Sequence, residues 1–142
     1  GDETTVRAAT LNHPGDSLGF RIENNRAVLA YCTDTTHPDD GIEPGVLTVA
    51  QDADLLIHDS HFSVEGREQF SGWGHSSWLE AAQAARAANV KCLALYHYSP
   101  DATDDYLENE MLCQAREVFP NTILSREGMA LDLPIENEPE ST

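Results

Sequence analysis

Short apolar runs alternate with polar turns along the whole chain, and their spacing changes part-way through. Residues Thr4–Leu11 and Leu18–Glu23 read as two strands around the turn-rich joint "NHPGDS". "RAVLAYCTD" (Arg26–Asp34) is a third, and the "NNR" before it makes Leu18–Asp34 a predicted β-hairpin. A Pro-, Gly- and Asp-rich loop follows over Thr35–Gly45, then "VLTVAQDA" as one or two helical turns. "DLLIHDS" (Asp54–Ser60) is a compact apolar run with polar borders, as expected of a buried strand.

From there the period lengthens. His61–Gly74 reads as a loop, and Ser76 or Ser77 is placed to cap an alanine-rich helix with Glu80 early in it. That helix runs to about Asn89, and "VKCLALYHY" (Val90–Tyr98) is another buried strand. Thr103 is a second N-cap, followed by two aspartates at the positive end of the helix dipole. The predicted helix Asp104–Phe119 stops at Pro120, and "NTILSREGMALDLP" supplies one or two last strands. Pro134 and the "IENEPEST" after it read as a disordered acidic tail, residues 134–142. The order is β-β-β and then β-α-β-α-β, an α+β or α/β pattern with helices on one face of a sheet.

Composition narrows the class. With 142 residues the chain suits one domain with a real core. No run of about 18 apolar residues occurs, so no membrane span is predicted. The three cysteines, Cys32, Cys92 and Cys113, are widely spaced, and reduced thiols in a cytoplasmic setting are expected. The formal charge is −17, with Lys91 the only lysine. Such a surface repels anionic membranes and long nucleic acids unless a bound cation reverses the local field.

The candidate chemistry gathers at strand ends. His13, His58, His61 and His97 fall at or just after predicted strands, His75 precedes a helix, and His37 lies in a loop beyond Asp34. Asp34 and Asp59 each close an apolar run, where a carboxylate needs a cation, an amide or a metal as partner. Singly, such a histidine is more often a hydrogen-bonded core or rim residue than a ligand, and such an aspartate more often a turn cap. No compact zinc motif such as H-E-x-x-H is present.

Taken as an ordered set, "LNHPGDSLGFRIE", "VLAYCTDTTH", "ADLLIHDSHF", "GWGHSS" and "LALYHYSP" resemble the metallo-β-lactamase fold. Within it they resemble the phosphodiesterase branch, near ribonuclease Z and the cyclic phosphodiesterases. The resemblance implies metal ligands at His13, Asp34 and His97, with Asp34 bridging two divalent ions, zinc foremost and manganese or iron as alternatives. It also implies that Asp59 orients His75 beside the leaving-group oxygen. It assigns no role to His37 or His61, and makes His58 structural.

The superfamily's H-x-H-x-D-H motif is absent, so the resemblance is to the C-terminal half of an αββα sandwich, over residues 1–133. An N-terminal half-domain, a partner chain or a second copy is then expected to complete the site. The chain alone is expected to be inactive. The implied activity is metal-dependent hydrolysis of small or cyclic phosphodiesters. A thioester or lactone hydrolase on the same fold, or an interaction module without the dinuclear site, are the alternatives.

Overall fold

Three antiparallel strands open the structure, a computed structural model that describes residues 3–70 and 72–134. β1 (Thr5–Leu11) pairs along its whole length with β2 (Ser17–Glu23), which turns back through Asn24–Ala27 onto β3 (Val28–Cys32). The Asn24 side chain closes that turn by accepting from the amides of Arg26 and Ala27. From β3 onward the pairing is parallel, through β4 (Leu55–Asp59), β5 (Cys92–Tyr96) and β6 (Thr122–Leu124). The sheet order is β1-β2-β3-β4-β5-β6. Because β1 and β3 both oppose β2, β1 runs in the same direction as the parallel set. The carboxyl ends of β1, β3, β4 and β5 therefore share one edge of the sheet.

Parallel neighbours need crossovers, and here these carry helices. α1 (Pro44–Ala50) links β3 to β4, α2 (Val64–Gln69) and α3 (Trp78–Ala87) link β4 to β5, and a third helical segment links β5 to β6. That segment is α4 (Asp104–Tyr106), a π-helical turn (Leu107–Met111) and α5 (Leu112–Val118). α3 begins with a full capping box: Ser77 Oγ takes the Glu80 amide while the Glu80 carboxylate takes the Ser77 amide.

The helices cover one face only. Val46 and Val49 of α1, Ala81, Ala84 and Ala85 of α3, and Met111 and Ala115 bury against Ala30, Leu56, Leu93, Leu95 and Leu124 of the sheet. Alanines on α3 let its backbone lie close to the strands. Gly45 does the same for α1, since any side chain there would collide with the Thr10 carbonyl. On the opposite face, Leu55, Cys92 and Ala94 form a small cluster under Leu133. Around it Leu29, Tyr31, Ile57 and Tyr96 line an open depression of about 360 Å³, partly roofed by Met129 and Leu131.

Three expectations need correction. The loop predicted over 61–74 contains α2, capped by Ser63. The helix predicted over 104–119 is interrupted by the π turn. The third strand ends at Cys32, so Asp34 lies beyond it. Of the one or two last strands expected, one forms, three residues long, in agreement with that reading. The predicted tail, from residue 135 on, lies outside the described residues. Cys32 and Cys92 are buried and unpaired, as expected, and Cys113 is exposed. No described helix is long and apolar enough to cross a membrane.

Candidate metal centre

The shared carboxyl edge gathers the acids and imidazoles. Asp34 sits two residues past β3, Asp59 ends β4, His97 directly follows β5, and His75 arrives from the segment before α3. A parallel bridge between Phe62 and Ser77 pins that segment beside the end of β4. Asp34, Asp59, His75 and His97 can each present one ligand atom with all four atoms within 4.8 Å of one another.

Two of these residues hold strained backbone. Asp34 (φ 50°) and His97 (φ 59°) both occupy the left-handed region. Aspartate tolerates that region better than histidine. Such strain persists where surrounding structure fixes the chain, and it clusters at functional sites.

The two acids are held differently. Asp59 is fully buried, and its carboxylate accepts from the amides of Thr35 (3.2 Å) and His61 (3.1 Å) and meets His75 Nδ1 at 2.8 Å. Burial alone would raise its pKa. Its interactions with His75 and the facing His97 outweigh that and hold the carboxyl well below the usual range. Asp34 is partly exposed, with Oδ1 3.3 Å from His97 Nδ1 and 3.7 Å from His75 Nδ1. Asp59 raises the pKa of His97 despite partial burial, with Asp34 adding to the effect.

The donor set fits a divalent cation. His97 Nδ1 faces Asp34 Oδ1 at 3.3 Å and Asp59 Oδ2 at 3.7 Å, yet it is buried and aligned for a hydrogen bond with neither. An imidazole nitrogen left this way between two carboxylates is what a cation would satisfy. Mixed imidazole and carboxylate donors suit zinc, manganese or iron.

His13 stands beside this group rather than within it. Its ring centroid is 5.6 Å from that of His75, and its Nδ1 accepts from the Gly15 amide. Gly74 holds the two loops together: its φ is +90°, and a Cβ there would strike the side chains of His13 and Pro14. His61, to which the resemblance assigns no role, also belongs to the neighbourhood. Its ring lies 4.7 Å from that of His75 and 5.5 Å from that of His97. The signal for it was present in "HDSH", two residues past Asp59. A groove of about 860 Å³ between α2, α3 and Pro38–Ile42 contains none of the cluster.

The model of the beta-lactamase superfamily domain matches residues 3–98. The chain belongs to that superfamily. Two curated relatives are each called Ribonuclease Z. The one from Gemmatimonas aurantiaca is 40% identical over 121 residues, covering 85% of this chain and 36% of that protein. The one from Crocosphaera subtropica is 38% identical over 125 residues, covering 87% and 38%. The chain thus spans well under half the length of these relatives. Solved structures agree on the fold. The metallo-beta-lactamase fold protein YhfI from Bacillus subtilis aligns with TM-score 0.73 at 22% identity, over 89% of this chain and 47% of that one. Human tRNase Z, short form, gives 0.69 at 24%, over 94% and 44%. Superfamily membership accounts for the sheet with helices on one face.

Proposed function

We propose that this chain is the C-terminal part, residues 1–133, of a metal-dependent phosphodiester hydrolase, and that it supplies one side of the metal site. The observation that carries this reading is the cluster of Asp34, Asp59, His75 and His97 around the unpartnered His97 Nδ1. Asp34 and His97 would hold the metal, with His13 as a further ligand from the adjoining loop. Asp59 has its lone pairs committed to two amides and to His75, so it acts as an orienting group. Bound divalent ions would polarise the phosphoryl group and ionise a water. His75, with Nδ1 turned to Asp59, keeps Nε2 for the substrate and can hand a proton to the departing oxygen.

The substrate we infer is an RNA phosphodiester, in keeping with the relatives called Ribonuclease Z. A small or cyclic phosphodiester is the second reading. It is favoured by the charge of −17, but that charge belongs to a chain spanning about a third of those relatives. An N-terminal half-domain or a partner chain would complete the site.

The test is metal content and turnover of the protein with its completing half. About two equivalents of zinc, manganese or iron are expected, with hydrolysis of bis(p-nitrophenyl) phosphate. A structured RNA should be cleaved more efficiently than a cyclic nucleotide. Absence of both metal and turnover would leave an interaction module as the better reading.

A further inference from the structure

His37 and His58 are buried, with 2% and 0% exposure, beside a third buried titratable group, Asp59. Their Nε2 atoms are 3.2 Å apart and their rings nearly parallel, at 13°. Two histidines facing each other inside a core cost desolvation that an apolar pair would not. Their hydrogen bonds explain the choice.

The protonation of the pair is fixed from both ends. The Glu43 amide donates to His37 Nδ1 at 2.9 Å, and an amide cannot accept, so the proton of a neutral His37 is on Nε2. That proton points at His58 Nε2, which must accept it. The proton of a neutral His58 is then on Nδ1, 2.7 Å from the Asp59 carbonyl oxygen, which can only accept. No other arrangement of two protons satisfies both terminal groups.

The far end of this chain of bonds is also anchored. Arg67 donates from Nη2 to the His37 carbonyl at 3.1 Å and from Nε to Glu80 Oε1 at 3.1 Å. Glu80 Oε2 caps α3 through the Ser77 amide at 2.7 Å. Ser77 is two residues beyond His75, and His75 bonds back to Asp59. The bonds therefore close a ring: Asp59, His58, His37, Arg67, Glu80, the start of α3, His75, Asp59.

We propose that His37 and His58 form a tautomer-locked relay that positions Asp59, and through it the ring of His75. Both are positioning residues, and neither reaches the substrate. The role of His75 as proton donor rests on the function proposed above. The relay itself does not.

The test starts with the chain of 142 residues and needs no turnover. Long-range ¹⁵N–¹H NMR should find the Nε2–H tautomer at His37 and the Nδ1–H tautomer at His58. Opposite tautomers in the unsubstituted chain would overturn the relay. In His37→Leu, His58 loses its donor and should populate the Nε2–H form, with His75 resonances shifted. His37→Gln keeps an amide donor near the same place and should return His58 towards Nδ1–H. If His58 and His75 were unmoved in both variants, the pair would be plain core packing.

A second readout uses the completed enzyme. His37→Leu should slow diphenyl phosphate, whose leaving oxygen needs a proton, by roughly tenfold in kcat. It should slow bis(p-nitrophenyl) phosphate far less, at unchanged metal content. Equal losses on both substrates would overturn the link to His75. Absence of turnover in the unsubstituted enzyme would count against the proposed activity alone, because the tautomers are read without it.

Discussion

At the residue scale, the proposed function separates metal holding, given to Asp34, from proton delivery, given to His75. Asp34→Ala should lose metal, measured by zinc titration or manganese EPR. His75→Ala should keep nearly full metal content and lose turnover, by roughly 100-fold or more. Equal metal loss in the two variants would reverse the assignment. His37 sets an acid limit on the fold. Burial, together with the charges of His58 and Arg67, holds its pKa at about 3, against 6.5 when exposed. Between those values the unfolded chain binds a proton that the folded chain refuses. Stability is therefore flat above about pH 6.5 and falls with decreasing pH, by up to about 1.4 kcal/mol per pH unit for this group. Burial also lowers the pKa of His58, which adds in the same sense. Denaturant midpoints at pH 8 and pH 5 measure the loss, and His37→Gln should flatten it. Asp34, Asp59, His75 and His97 were legible as residues because each closes an apolar run or precedes a capped helix. The burial of His37 was not. It sits in "TTHPDDG", whose composition reads as exposed loop, and its contacts with Arg67 and His58 come from distant segments.

At the element scale, the α3 capping box and Gly74 do most to aim His75. Ser77→Ala removes both the cap to the Glu80 amide and a bond to its carboxylate, and should cost about 1–2 kcal/mol in denaturant unfolding. Gly74→Ala puts a Cβ against His13 and Pro14 at positive φ. It should part the His13 and His75 loops and weaken metal binding at least as much as it lowers stability, which calorimetric metal titration would separate. The order of elements along the chain, the hairpin and a cap at Ser76 or Ser77, which the structure places at Ser77, followed from local patterning, since each depends on neighbours in sequence. α2 did not show, because "VEGREQ" is short, has no buried residue and carries a glycine, leaving no apolar period to read. The π turn was equally silent. Tyr106, Leu107, Met111 and Ala115 keep the inward spacing of an ordinary helix through it.

At the scale of the molecule, one sheet face is covered by helices and the other is nearly bare. Val6 on β1 is 59% exposed, and Tyr96, Met129 and Leu131 expose large apolar area on or over that face. The isolated chain should bind a hydrophobic dye such as ANS there. Its net charge of −17 opposes self-association, so adding salt should favour it, and sedimentation at low and high ionic strength would read this. The sequence could place the chain in a sheet-and-helix class and anticipate one uncovered face from the missing motif. It could not show that the segment through Met129–Leu133 lies across that face. The shared direction of β1, β3, β4 and β5 has a practical consequence for protein engineering. Every candidate ligand lies at their carboxyl edge. The opposite edge is knit by an independent set of bonds, in which Lys91 and the Val28 amide both donate to the Asp54 carboxylate. New termini or an inserted reporter domain can be opened in the Asn24–Ala27 turn on that edge, and the grafted chain should keep its manganese affinity within about threefold.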